Sequence, residues 1–169
     1  MLACVDVDYR SDGCAAAACV VFSQWSAEAP AASYVAWVDE VAPSEPGAFF
    51  RRELPCILRV LAEVAEPLEL VLVDGYVTLD AARRPGLGAR LYEALGGGVA
   101  VVGAAKTKYA GATEAVPVLR GRSAKPLWIG AIGIDLAAAV AGVRAMHGPH
   151  RIPTLLGEVD RLARKAVRS

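Results

Sequence analysis

The chain has 169 residues, of which 55% are hydrophobic, and its 18 basic residues balance its 18 acidic ones. This length suits one domain with a sizeable core, and we interpret residues 1–169 as a single domain. Mean hydropathy is +0.39, but no apolar run approaches the ~18 residues that span a bilayer, which argues against a membrane protein. The neutral total excludes an overall positive field, so a nucleic-acid partner would need a local basic patch.

The N-terminal third alternates in polarity, which is typical of antiparallel strands. Residues 2–9 place Ala3, Val5, Val7 and Tyr9 on one face of a strand. A turn at 11–13 leads to a second strand over 14–22, and 33–41 alternates again as a third. We therefore predict an antiparallel meander at the start of the fold.

The rest of the chain alternates between helical spacing and short apolar runs. Helices are predicted over 50–64, 85–95, 135–146 and 154–167, the third capped by Asp135, and strands over 68–73, 99–104 and 126–132. Together these elements predict an α/β fold whose mixed sheet has antiparallel strands 1–3 followed by parallel strands, flanked by helices.

Cysteine use and the N-terminus bear on the compartment. The cysteines lack the paired close spacing of a zinc site, and nothing at the N-terminus resembles a cleavable signal; they are Cys4, Cys14, Cys19 and Cys56. We expect reduced thiols in a cytoplasmic protein.

Two carboxylates interrupt apolar strands. Asp74 ends the run LVLV at 70–73, where it is either a turn former with Gly75 or part of a site outside the strand ends. Asp6 shares a strand face with Leu2 and Cys4, so it must be exposed, protonated, paired or bound to a cation.

Two more carboxylates fall on or beside apolar helix faces. Glu53 lies on the face of Ile57, unless Pro55 delays the helix start to about Leu54 and leaves Glu53 near the positive end of the dipole. Asp160 lies within or beside the apolar stripe of the last helix. Each acid alone is easily structural. As a set they suit a hard divalent cation, and such sites serve phosphodiester hydrolysis.

A single cation follows the strand predicted over 99–104. Lys106 would end on the same side as Asp74 if the two strands are parallel, and it could then touch a phosphate. The alternative is an ordinary solvated lysine.

Five short stretches, in order along nearly the whole chain, resemble one known set of motifs. CVDVDY at 4–9 is similar to G-V-D-hydrophobic-S-Y, and PGAFFRRELP at 46–55 to P-G-F-x-x-F-R-E. VLVDG at 71–75, with RRPG at 83–86, resembles V-D-G-x-G-x-x-H-P-R-R-x-G. AAKT at 104–107 is similar to V-A-K-S, and IP at 152–153 with VD at 159–160 to the terminal P and A-D or A-H positions. These are the motifs of the endonuclease V family, which has a ribonuclease-H-like fold.

The resemblance implies a function and a site. Members of the family use Mg²⁺ or Mn²⁺ to cut DNA or RNA on the 3′ side of a deaminated base, chiefly inosine. It implies a metal site at Asp6, Glu53, Asp74 and Asp160, with Lys106 contacting phosphate. Further substrate contacts are implied at Ser44, Pro46, Gly47, Gly75, Asp80, Arg83 and Arg84.

The chain also departs from the family pattern. Asp80 replaces a histidine of the D-G motif, Val77 its second glycine, and Ser44 the tyrosine of a strand-separating wedge. An acid at 80 would repel phosphate unless a cation intervenes, and loss of an aromatic wedge removes stacking worth roughly 1–3 kcal/mol per base. Two alternatives therefore stand beside the nuclease: a nucleic-acid-binding protein that has lost activity, and a nuclease of changed specificity.

Overall fold

The computed structural model describes residues 1–168, which form seven strands and four helices. The strands are β1 (Leu2–Tyr9), β2 (Ala15–Phe22), β3 (Ala32–Val38), β4 (Leu70–Val73), β5 (Ala100–Ala105), β6 (Val116–Val118) and β7 (Leu127–Ile132). The helices are α1 (Phe50–Leu61), α2 (Leu87–Ala94), α3 (Leu136–Ala145) and α4 (Thr154–Lys165).

One mixed sheet contains all seven strands in the order β3-β2-β1-β4-β5-β7-β6. The predicted meander is confirmed, since β1 pairs antiparallel with β2 and β2 with β3. β4 and β5 run parallel to β1, as predicted for the strands that follow. The fold class is confirmed.

The strand predicted at 126–132, which is β7, differs from the expected parallel arrangement. β7 runs antiparallel to β5, and β6 antiparallel to β7. A parallel pair needs a crossover that returns the chain to its starting edge, usually by a helix. Residues 106–126 contain no helix, so the chain turns back and β7 pairs with β5 in the opposite direction.

The helices cover both faces of the sheet. α1 and α2 pack on the face that carries Ala3 and Val5, while α3 and α4 pack on the face that carries Leu2 and Cys4. Burying both faces explains why β4 is apolar throughout. Alternate side chains of β1 therefore point into two different hydrophobic cores, one on each face of the sheet.

α1 begins at Phe50, and Pro55 lies inside it. The expectation of a later start near Leu54 is wrong, because Ile57 and Val60 are almost fully buried against the sheet and their packing outweighs the missing backbone donor. Glu53 consequently lies within the helix and is buried rather than at an exposed helix end.

Two further observations concern the described residues. None of the helices in residues 1–168 is long and apolar enough to cross a membrane. The four cysteines are free and buried.

Candidate active site

The sheet brings Asp6, Asp74 and Lys106 to one edge. In the parallel β1–β4 pair Cys4 lies opposite Leu72, and the same register continued sets Asp6 level with Asp74. Parallel pairing of β4 with β5 directs Lys106 to the same side. Ligands bind at this edge in open α/β sheets, which favours the interpretation of Asp74 as part of a site over that of a simple turn former.

Lys106 and Asp74 form an ion pair across the strand ends. Lys106 Nζ lies 2.9 Å from Asp74 Oδ2, with both side chains partly exposed. Burial disfavours the charged form of Lys106, but the carboxylates of Asp74, Asp6 and Asp160 together outweigh burial, and the pKa of Lys106 lies above its usual value. Gly103 permits this arrangement, since a Cβ there would lie 2.4 Å from the carbonyl oxygen of Gly75.

Glu53 enters the same region from α1. Its side chain is only 6% exposed, and its Oε2 accepts a hydrogen bond from the Tyr9 hydroxyl at 3.3 Å. Burial, together with the charges of Asp6 and Asp74, raises the pKa of Glu53 to about 8 against the effect of the Tyr9 hydrogen bond. A buried carboxylate with so little compensation is costly unless it is protonated or bound to a cation.

Asp6 and Asp160 meet between β1 and α4. Burial, with the neighbouring Asp160 side chain, raises the pKa of Asp6 to about 6 against the effect of the backbone N–H of Val7, which donates to Asp6 Oδ1 at 2.9 Å. Arg164 lies one helical turn beyond Asp160, and its Nη2 is 3.0 Å from Asp160 Oδ1. The last helix therefore adds both an acid and a cation to the site.

All four predicted acids line one cleft of about 360 Å³. We call it the acidic cleft; it is lined by Asp6, Val7, Asp8, Tyr9, Phe49, Glu53, Asp74, Lys106, Asp160 and Arg164. Most of the acceptor groups in this cleft are carboxylates, and carboxylate oxygens are the ligands that hard divalent cations prefer. Within residues 1–168, however, no three acidic, histidine or cysteine side chains are spaced to hold a metal ion as they stand.

The carboxylate oxygens of the acidic cleft are suitable ligands for a divalent cation, but within residues 1–168 they are not spaced around one point. Asp74 is engaged by Lys106, and Glu53 by Tyr9. The metal site implied by the sequence therefore stays a prediction: its four acids line one cleft, and two of them have protein partners there.

A second, largely apolar cavity of about 440 Å³ opens beside the acidic cleft. We call it the aromatic pocket; it is lined by Gly47, Phe49, Phe50, Asp74, Gly75, Tyr76, Leu79, Arg84, Gly86, Leu87, Ala105, Lys106, Thr107 and Tyr109. Phe49, Asp74 and Lys106 line both cavities. A group held in the pocket would therefore lie next to the acids.

The residues predicted to contact substrate divide into two groups. Gly47, Gly75 and Arg84 line the aromatic pocket. Ser44 and Pro46 are exposed on the loop before α1 and line neither cavity.

Asp80 and Arg83 also lie outside both cavities. Asp80 accepts hydrogen bonds from the backbone N–H of Arg84 at 3.0 Å and from its Nε at 3.2 Å. These bonds, the backbone one first, hold the pKa of Asp80 below its usual value. Arg83 adopts a left-handed backbone (φ 59°) and lies 3.8 Å from Glu114. The acid that replaces the family histidine thus caps a turn and does not face the acidic cleft.

Val77, another departure from the family pattern, is a packing residue. It is 4% exposed, and its side chain fills the space left by two glycines, Gly88 and Gly130. A Cβ on Gly88 would come within 2.8 Å of Val77. The larger side chain of Val77 is therefore accommodated by the missing side chains of Gly88 and Gly130.

Several aromatic residues of the site escaped the sequence interpretation. Tyr9 contacts Glu53, while Phe49, Tyr76 and Tyr109 line the aromatic pocket. Phe49 is 50% exposed at the boundary of the two cavities. An aromatic residue next to a recognised motif position was the available signal, but the topology that gathers these rings is not visible in the sequence.

Basic residues near the site have varied partners. The Arg90 guanidinium stacks on the Phe50 ring at 3.6 Å, and Lys108 lies 5.4 Å from the Trp128 ring centroid. Two arginines reach the cavities themselves, Arg84 the aromatic pocket and Arg164 the acidic cleft.

The fold and the cleft define an α/β protein of the ribonuclease-H-like class with an acidic site where its parallel strands end. A family model described as Endonuclease V matches residues 1–145, and the chain belongs to the endonuclease V family. The resemblance read from the sequence is confirmed.

Relatives and solved structures agree with this assignment. Endonuclease V from two strains of Xanthomonas campestris pv. campestris is 34% identical over 111 residues, which is 66% of this chain but 46% of the relative. The chain thus matches about half the length of these curated relatives. Endonuclease V from Streptomyces avermitilis is similar at 28% identity and TM-score 0.76, covering 97% of this chain and 79% of that one.

A second solved structure supports the fold. Ciona intestinalis endonuclease V, in complex with a 23mer DNA containing an inosine followed by a ribo-adenosine, has TM-score 0.81 at 20% identity, covering 97% of this chain and 83% of that one.

Proposed function

We propose that this protein is a metal-dependent endonuclease that hydrolyses a phosphodiester bond in DNA or RNA near a deaminated base, with inosine as the expected lesion. The observation that supports it most strongly is the junction of the two cavities. An acidic cleft and an aromatic pocket share Phe49, Asp74 and Lys106. A strand with one base in the pocket would have a backbone phosphate beside the acids.

Asp6, Glu53 and Asp74 would hold Mg²⁺ or Mn²⁺, with Asp160 as a fourth acid. When bound, such an ion activates water and neutralises charge on the transition-state phosphate. Its charge would favour the ionised form of Glu53, whose pKa is raised by burial and by its acidic neighbours. Tyr9 would then donate its hydroxyl hydrogen to an ionised carboxylate and hold it in orientation.

Lys106 would contact the phosphate. Its ammonium already lies at the boundary of the two cavities, 2.9 Å from Asp74. As Asp74 turns toward a cation, the ammonium is freed to donate to a phosphate oxygen.

The aromatic pocket would accept the base. Its volume of about 440 Å³ falls within the range of small-molecule sites. Aromatic side chains can stack on any of the bases, since every base has a flat π-face. Enzymes that act on a base in a duplex extrude it into such a pocket. A role in nucleic-acid repair follows from this substrate, and the free cysteines suit the predicted cytoplasmic location.

Cleavage of matched oligonucleotides tests the proposal. End-labelled DNA and RNA strands that differ only by inosine or adenosine at one position are incubated with Mg²⁺ or with EDTA. We expect Mg²⁺-dependent cutting of the inosine strand by the wild type, loss of cutting in Asp74→Asn, and wild-type cutting by Glu93→Gln, which removes an exposed carboxylate on α2. Absence of cutting by all three, or equal cutting with EDTA, would contradict the proposal.

An inactive nucleic-acid-binding protein is the second candidate. It is favoured by the lack of a preformed metal-ligand group in residues 1–168 and by the exposed Ser44 where the family has an aromatic wedge. It predicts binding of the labelled strand without turnover of any strand. A nuclease of changed specificity would instead cut a strand with another lesion under the same conditions.

A further inference from the structure

Arg151 lies between α3 and α4, immediately before the Ile152-Pro153 pair, and its side chain points back into the protein. Its Nη2 donates to the backbone carbonyl of Lys106 and, at 3.0 Å, to that of Pro126. Lys106 directly follows β5, and Pro126 directly precedes β7. One guanidinium therefore joins the ends of two neighbouring strands at the residue that carries the ammonium of the site.

The segment that carries Arg151 is itself held in place. Arg120 is 7% exposed, and its Nη1 donates to the carbonyl of His150 at 2.8 Å and to that of Arg151 at 3.3 Å. Its Nη2 donates to the carbonyls of Met146 and Gly148. A planar guanidinium with several donors suits this task, and its rigid fork loses little side-chain freedom per hydrogen bond. The backbone of Arg151, whose side chain holds the carbonyl of Lys106, is thus itself fixed by Arg120.

A tyrosine holds the same loop from the other side. The Tyr76 hydroxyl donates to the carbonyl of Thr107 at 2.6 Å and accepts from the backbone N–H of Tyr109 at 2.8 Å. Residues 106–109 are otherwise exposed. Without Arg151 the loop would keep its Thr107 and Tyr109 contacts but lose its hold at Lys106.

We propose that Arg151 is a positioning residue that fixes the backbone of Lys106 and so sets where its ammonium lies, an inference that rests on the proposed phosphate role of Lys106. A lysine side chain has a long flexible stem, so its ammonium is placed well only if its Cα is fixed. A misplacement of about 1 Å in a catalytic group can cost about 100-fold in rate. The Nη2 donors of Arg151 point at carbonyls, so the residue acts through Lys106 rather than on the nucleic acid.

The test combines cleavage kinetics with amide hydrogen exchange on the full chain. Arg151→Met and Arg151→Lys are made in the wild-type and the Lys106→Met backgrounds, with Arg144→Met as a control that removes an exposed arginine from α3. We expect Arg151→Met to lower kcat about 10- to 100-fold with little change in KM. In the Lys106→Met background the same change should alter kcat by no more than about twofold. Exchange at residues 106–109 should accelerate in Arg151→Met and not in Arg144→Met.

Other outcomes overturn the inference. Equal loss of kcat in both backgrounds would make Arg151 a general structural residue, and an effect confined to KM would make it a phosphate contact. Where Arg151→Met melts below the assay temperature, Arg151→Lys supplies the comparison, with a smaller kcat loss in the same pattern expected. If the wild type cuts nothing, the proposed function fails, and unchanged exchange at 106–109 would independently refute the support of Lys106.

Discussion

Replacing Glu53 by Gln should remove most of the pH dependence of stability of the metal-free protein between pH 4.5 and 8. Burial raises the pKa of Glu53 from 4.5 to about 8, so the folded state holds a proton that the unfolded chain has already released. The stabilising contribution is fully present below pH 4.5 and is lost as pH rises to about 8. One proton held over this window changes the free energy of unfolding by up to about 1.4 kcal/mol per pH unit.

Urea unfolding in EDTA at pH 5, 6.5 and 8.5 measures this effect. The wild type should lose stability steadily across the series, whereas Glu53→Gln should lose much less, with a remainder from Asp6, whose pKa is also raised. Glu93→Gln, an exposed change of the same kind, should follow the wild type. Parallel pH curves for the wild type and Glu53→Gln would refute the assignment of a protonated, buried Glu53.

Three further changes have defined outcomes. Lys106→Met should lower kcat/KM on the inosine strand by roughly 100-fold or more, as removal of a transition-state donor does, while Lys108→Met should not; equal effects would indicate a shared electrostatic role. Phe49→Ala removes a half-exposed ring between the cavities and should weaken strand binding, measured by fluorescence anisotropy, by roughly 1–3 kcal/mol; unchanged binding would exclude stacking there. Arg120→Met leaves four carbonyls without their buried donor and should lower the free energy of unfolding by roughly 2–5 kcal/mol in urea, and a loss within the error of the fit would show that these bonds are replaceable.

Regular patterns in the sequence predicted most of the fold. β1 begins and ends where alternation predicts, and α3 starts after Asp135, whose side chain accepts from the N–H of Ala138. β6 was missed because it is three residues long and contains Pro117, so it carries no periodic signal. The antiparallel return of β7 depends on how the chain crosses residues 106–126, where turns rather than a helix connect the strands.

The candidate site was predicted less evenly than the fold. Motif positions located Asp6, Glu53, Asp74 and Lys106, and the sheet together with α1 gathers all four at the acidic cleft. Their current partners were not predictable, because the hydrogen bond from Tyr9 to Glu53 joins residues 44 positions apart and depends on how α1 packs on β1.

Contacts made by backbone groups were also invisible. The support of Lys106 by Arg151 joins a side chain to a carbonyl 45 residues away. A carbonyl has the same chemistry at every residue, so neither composition nor motif spacing marks the one that is bound. Only the packing of the α3–α4 connection against the end of β5 reveals it.

The central claim is that Asp6, Glu53 and Asp74 share a divalent cation, and a crystal grown with Mn²⁺ tests it most directly. We expect an anomalous density peak in the acidic cleft, with carboxylate oxygens of these three residues around it at about 2.0–2.6 Å. In that crystal the Asp74 carboxylate should have turned from Lys106 toward the ion. A cleft without anomalous density, with the ion pair between Lys106 and Asp74 unchanged, would show that these carboxylates do not share a cation.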